Sequence, residues 1–124
     1  MLTVVTGAPC AGKTTYVALH AAPGDLVVDL DRIADVLTAK SSLAREASFA
    51  ARAAAIEVAL LAEKDGDAWV IHTRPSDAQR DRYKAFGAEI VLLDPGYEVC
   101  LERAKAERDD ATVSAVHDYY GKRP

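Results

Sequence analysis

Gly7-Ala8-Pro9-Cys10-Ala11-Gly12-Lys13-Thr14 carries glycine at its first and sixth positions and closes on Lys-Thr. That spacing suits a backbone that wraps an anion. The glycines permit a tight curve in which successive N–H groups point inward. In such a phosphate-binding loop Lys13 reaches the β- and γ-phosphates and the Thr14 hydroxyl ligates Mg²⁺. The first N–H groups of a following helix, through Thr15, extend the anion site. Gly7, Ala8, Pro9, Cys10, Ala11, Gly12, Lys13, Thr14 and Thr15 are therefore the candidate nucleotide-binding residues. The flanks agree: Leu2-Thr3-Val4-Val5-Thr6 reads as a buried strand, and Thr15 to Leu19 continues as a helix. Strand, loop, helix is the order that the motif needs.

The rest of the chain repeats that alternation. Asp25-Leu26-Val27-Val28-Asp29, Ala68-Trp69-Val70-Ile71-His72 and Glu89-Ile90-Val91-Leu92-Leu93 read as three further strands. Ile33, Val36 and Leu37 have helical spacing after the second strand. The longest helix is expected from Ser42 to about Lys64, with Phe49, Ala53, Ile56 and Leu60 as its apolar stripe and Gly66 as its stop. Ser76-Asp77-Ala78-Gln79 has the form of a capping box. Asp94-Pro95 reads as an N-cap followed by a first-turn proline. A last helix turns Val113, Val116, His117 and Tyr120 to one side and stops at Gly121. The pattern predicts an α/β domain with a parallel sheet covered on both faces. Right-handed crossovers put all strand carboxyl ends on one edge, where ligands bind. Gly7–Thr14, Asp29, Asp31, His72–Arg74 and Asp94 converge there.

The chain has 124 residues, half of them hydrophobic, which suits a single domain with a real core. No apolar run reaches the length of a membrane span, and Met1 leads directly into a strand, so the expectation is a cytoplasmic protein without a membrane partner. Cys10 and Cys100 form neither a disulfide frame nor a metal knuckle by spacing. A net charge of −4 argues against a general nucleic-acid coat, but not against a locally basic cleft.

Two carboxylates one residue apart at a strand end beside such a loop can divide two tasks. Asp29 can support Mg²⁺ through water, while Asp31 accepts the proton of an attacking hydroxyl; the alternative for Asp31 is a helix cap. Arg32, Thr73 and Arg74 lie where an acceptor substrate would, against an alternative of ordinary loop polarity. The third strand ends in His72 rather than an acidic residue, which argues against a motor ATPase; His72 either contacts substrate or packs. Arg103, Lys105 and Arg108 could form a short basic lid over the phosphates, or a solvated helix face.

On Gly7 to Thr14, on Asp29-Leu30-Asp31-Arg32, on Val70-Ile71-His72-Thr73-Arg74-Pro75 and on the pattern of Leu101 to Arg108, the chain resembles the small P-loop kinases. Within them it is most similar to the kinase domain of phage polynucleotide 5′-hydroxyl kinases. The resemblance covers nearly the whole chain. It implies one P-loop kinase-like domain over 1–124, about four parallel strands in the order 2-3-1-4, and a short C-terminal lid. It implies ATP and Mg²⁺, with Lys13, Asp31, Arg103 and Arg108 as catalytic residues and Asp31 as general base. The implied acceptor is a nucleic-acid 5′-hydroxyl. A nucleoside, nucleotide or metabolite acceptor, and a non-kinase ATP-binding or hydrolysing module, are the alternatives. Two departures bear on the acceptor: Ala34 stands where that family has an arginine, and His72 where it has an acid.

Overall fold

The computed structural model describes residues 1–37, 41–61, 67–107 and 109–122. Strand β1 (Leu2–Gly7) is buried along its whole length and runs into helix α1 (Lys13–His20) through the glycine-bearing loop. Then come β2 (Leu26–Asp29), α2 (Leu30–Leu37), α3 (Ser42–Leu61), β3 (Ala68–Ile71), α4 (Asp77–Ala85), β4 (Glu89–Leu93), α5 (Tyr97–Ala106) and α6 (Asp110–Tyr119). The four strands form one sheet in the order β2-β3-β1-β4, the expected 2-3-1-4, and every pairing is parallel.

Alternation along the strands sorts the core. Leu2 and Val4 of β1, Val28 of β2 and Val70 of β3 face Leu60 of α3 and Tyr83 of α4. Val5 and Ile71 face the other way, onto Val17 of α1. A third cluster joins the loop residues Ala8 and Ala11 to Cys100 and Ala104 of α5 and Val116 of α6. Each fully buried valine contributes about 1.5–3 kcal/mol. The loop is thus built into the core rather than hung from it.

Several local expectations need correction. Asp25 lies before β2 and His72 after β3, boundary shifts of one residue. The Asp25 carboxylate instead accepts bonds from Ala22 N–H and Trp69 Nε1. Helix α3 is described to Leu61, so its expected stop at Gly66 lies outside the described residues. Half of its expected stripe faces the core: Leu60 is buried and Ile56 packs against the same cluster, whereas Phe49 and Ala53 are exposed and Ser48 is buried instead. The Ser48 hydroxyl satisfies itself on Ala44 O at 2.8 Å, which makes a buried polar residue tolerable on that face. On α2 only Ile33 joins the core; Val36 and Leu37 are exposed. Helix α5 is capped by Gly96, at φ 100°, not by Asp94. The Asp94 carboxylate is held two residues earlier, by Gly96 N–H and the Tyr120 hydroxyl. The capping box at Ser76 and Gln79 forms as expected.

Candidate functional site

All four strands end at one edge, and the candidate residues gather there. The β1 end is stitched to the segment after β3: His72 N–H donates to Val5 O at 3.0 Å, and Gly7 N–H to Thr73 O at 3.4 Å. On the other side β4 presses so close that a Cβ on Gly7 would lie 2.3 Å from Leu93 O. Only glycine fits there. Gly12, with a left-handed backbone, opens α1 without a side-chain cap. The first amides of that helix, including Thr14 and Thr15, are thereby left to a ligand or solvent.

Lys13 is buried, and its ammonium donates to Gly7 O and Ala8 O, both at 2.7 Å. Burial pulls its pKa down, and the charges of Asp31 and Asp29 work against that shift. Cys10 sits at φ 65°, the one non-glycine with positive φ among the described residues. Its carbonyl accepts a 3.0 Å bond from Arg103 Nη1. Burial, then Glu107, pushes the Cys10 thiol above its ordinary value. Arg103 thus reaches the loop from the last turn of α5, and Lys105 lies exposed on the same turn. Both residues lie in the last turn of α5. Arg108 lies outside the described residues.

The two acids divide their roles differently from the simplest expectation. Asp29 ends β2, is 7% exposed, and its Oδ1 accepts the Asp31 N–H at 3.1 Å. Asp29 therefore takes the capping task, and the exposed Arg32 sits against its other oxygen at 3.8 Å. The Asp31 carboxylate accepts no hydrogen bond among the described residues. Desolvation raises its pKa, the charges of Asp29 and Asp35 add to the rise, and Lys13 opposes it. Asp31 borders a cleft of about 490 Å³ between α2 and the start of α3, a size typical of small-molecule sites.

Two other candidates are already engaged. Arg74 donates to Tyr119 O and stacks over the Tyr119 ring at 4.7 Å, so its guanidinium ties the segment after β3 to α6. His72 is buried, with Nδ1 3.0 Å from the Tyr83 hydroxyl. Burial, then Arg52 and Arg80, pushes its pKa down to about 4, which makes it neutral at pH 7. It packs rather than replacing an acid. His117 likewise packs, against the Tyr97 hydroxyl at 2.8 Å.

Among the described residues no group of three or more His, Cys, Asp or Glu side chains forms a metal cage. Thr14, at the start of α1, and Asp29, at the end of β2, carry the oxygens that a Mg²⁺ ion at this edge would take. Sequence reasoning missed Arg45 and Phe49, which line the cleft with Asp31. Their signal was present: Arg45, Phe49 and Arg52 recur at helical spacing, a cationic and aromatic face inside an alanine-rich helix. Among the described residues no helix is long and apolar enough to cross a membrane. No protein-family model matches the chain, and a search of curated proteins finds no match either.

Proposed function

We propose that this chain is an ATP- and Mg²⁺-dependent phosphotransferase that moves the γ-phosphoryl group to a hydroxyl, with a nucleic-acid 5′-hydroxyl as acceptor and a cytoplasmic location. The observation that carries this reading is the loop between β1 and α1, with the buried Lys13 ammonium on Gly7 O and Ala8 O, at the sheet edge where Asp31 follows β2 and opens onto a cleft.

In this reading the loop amides from Gly7 to Thr15 hold the phosphates, and Lys13 trades its two carbonyl partners for phosphate oxygens. Bound Mg²⁺ would be held by Thr14 and, through water, by Asp29, and would supply positive charge to neutralise the phosphates. Asp31 orients the acceptor hydroxyl and takes its proton. The acceptor oxygen bonds to the γ-phosphorus, the bond to the β–γ bridging oxygen breaks, and ADP leaves with that electron pair. Its raised pKa makes Asp31 a better proton acceptor than an ordinary surface carboxylate. Arg103, whose bond to Cys10 O supports a place beside the loop, spreads positive charge over the phosphoryl group in transfer. Arg108 belongs to the same reading through the family resemblance. Thr73, whose carbonyl meets Gly7 N–H, and Arg32, beside Asp29, flank the acceptor.

The test is transfer of labelled γ-phosphate to 5′-hydroxyl oligonucleotides, nucleosides and small hydroxyl metabolites. Labelled oligonucleotide is the expected result. Labelling of the other compounds alone would move the acceptor to that class. Hydrolysis without transfer to any of them would leave a nucleotide-binding module.

A further inference from the structure

The two edges of the sheet are finished differently. Beside β2, the helices α2 and α3 come close enough for Ile33, Val36, Leu37 and Ala51 to line a cavity with Val27. β4 is the opposite edge, and among the described residues no strand pairs with its outer side. Edge strands are commonly blunted by lysine, proline or a bulge. Glu89-Ile90-Val91-Leu92-Leu93 contains neither residue, and its register against β1 runs unbroken from Thr3↔Glu89 to Gly7↔Leu93. Leu92 is 59% exposed, although large and apolar.

The backbone fixes which groups of β4 face outward. His72 N–H donates to Val5 O and Gly7 N–H to Thr73 O, so Val5 and Gly7 turn their backbone groups to the β3 side. Val4 and Thr6 alternate with them and turn theirs to β4. In a parallel pair such residues bond the neighbours of their register partners. Those partners are Ile90 and Leu92, so the inward bonds belong to Glu89, Val91 and Leu93. Thr6 Oγ1 also reaches Val91 O from the β1 side, at 3.4 Å. The N–H and C=O groups of Ile90 and Leu92 therefore point away from the sheet.

A second copy of the same edge matches this pattern. Antiparallel pairing about a two-fold axis at Val91 sets Ile90 opposite the partner's Leu92, and Leu92 opposite the partner's Ile90. Each of these pairs exchanges both N–H···O bonds, so every outward group is used. Ile90 and Leu92 share one face of the sheet, because side chains alternate along a strand, and the partner's Ile90 would cover the exposed Leu92. Charge agrees with this register. Glu89 is the strand's only charged residue, and the axis at Val91 carries the two copies of it to opposite ends of the strand pair. Parallel addition in register would set them side by side, where like charges destabilise. Helix α4, which packs against Ile90 through Tyr83, carries both signs in Asp77, Arg80, Asp81, Arg82 and Lys84, so it does not repel its copy as a block.

We propose that this chain forms a symmetric dimer by antiparallel pairing of β4 with β4 of a second copy, which joins the two sheets into one. The dimer is independent of the phosphotransferase reading. One strand of 5 residues per copy is small beside a standard interface of about 1,600 Å², so the expected Kd is about 10–100 µM. β4 also closes on Gly7 through Leu93 O, so the partner strand steadies the strand against which the loop is built.

The test is sedimentation velocity on the full chain across about 1–500 µM, a range that brackets that Kd. A reversible monomer–dimer equilibrium is expected. Leu92→Arg places a charge on the exposed edge and removes a cross-strand contact twice by symmetry. It should weaken the dimer about tenfold or more, with an unchanged circular dichroism spectrum. The register has its own readout. The two copies of Val91 form the non-hydrogen-bonded pair at the axis, with Cα atoms about 4.5 Å apart, within disulfide reach. Val91→Cys should cross-link through the two positions 91 under mild oxidation, as read by peptide mass, and Leu92→Arg in the same chain should suppress that cross-link. A chain that stays monomeric throughout, a dimer indifferent to Leu92→Arg, or a dimer that cross-links only through Cys10 would overturn the proposal. If Leu92→Arg does not fold, the cross-link formed by Val91→Cys alone decides the matter.

Discussion

Lys13 donates to two carbonyls and Cys10 O accepts from Arg103, whereas the side chains of Asp31 and Arg45, in the cleft between α2 and α3, make no hydrogen bond or ion pair among the described residues. The Gly7–Thr14 loop and the cleft share one edge of the sheet, yet they are built in opposite ways. Around the loop, Gly7 is closed in by Leu93 O, Ala8 and Ala11 are buried, and α5 with α6 packs behind. Around the cleft, α2 contributes only Ile33 to the core, and Phe49, Val36 and Leu43 are exposed. In the proposed reading the loop serves a constant group, a phosphate, which backbone alone can preorganise, and the variable acceptor is met by side chains that their ligand can satisfy.

Four measurements can break or sharpen that contrast. The largest effect is expected from Lys13→Ala. In the proposed reading its ammonium leaves Gly7 O and Ala8 O for the phosphates, so transfer should fall about a thousandfold while the circular dichroism spectrum keeps its α/β shape. Unaltered turnover would remove the loop from the chemistry. Next is Asp31→Asn, which should bind ATP and Mg²⁺ like the wild type and lose about 10²–10⁴-fold in transfer rate. The sign of the pH dependence follows from its raised pKa: the wild-type rate should fall as pH drops through a value above the ordinary carboxylate range. A wild-type rate in Asp31→Asn would reduce Asp31 to a surface residue of α2.

The third concerns the packed side of the edge. The pKa of His72 is about 4 in the folded chain and near 6.5 when unfolded. Above pH 6.5 both states hold it neutral. As pH falls from 6.5 towards 4, the unfolded state takes the proton first, so stability is lost, by up to about 3 kcal/mol. Urea unfolding at pH 7, 5.5 and 4 should show this slope, and His72→Asn should flatten it. An equal slope in both proteins would mean that other groups dominate acid unfolding. The smallest effect is expected from Cys10→Gly. The left-handed backbone at φ 65° costs a side-chain-bearing residue roughly 1 kcal/mol, so glycine should raise the unfolding free energy by about that amount. A loss of stability instead would show that the Cys10 side chain packs the loop more firmly than its 3.9 Å contact with Glu107 suggests.

How much was legible depends on how local each feature is. The loop was readable because its geometry is a property of eight consecutive residues. The capping box at Ser76 and Gln79 was readable for the same reason, as was the buried run of β1. Asp94 misled because a competing partner, the Tyr120 hydroxyl, comes from the far end of the chain. Phe49 misled because hydrophobicity alone assigned it inward, while Ser48 could go inside by bonding its own helix. Arg74 looked free until α6 came to meet it.

The amino-acid sequence by itself determined the alternation of strands and helices, the anion-wrapping loop and the acidic strand end, because periodicity and short-range backbone chemistry act within one segment. Only the tertiary structure decided that Asp29 caps while Asp31 stays open, that His72 is neutral beside Tyr83, that Arg103 reaches Cys10, and that Arg45 shares a cleft with Asp31. Asp29 and Asp31 are near-neighbours of the same chemical type, so only burial could separate their roles. The other three depend on residues 11 to 93 positions apart along the chain, and a sequence does not record which distant side chains packing will bring within reach.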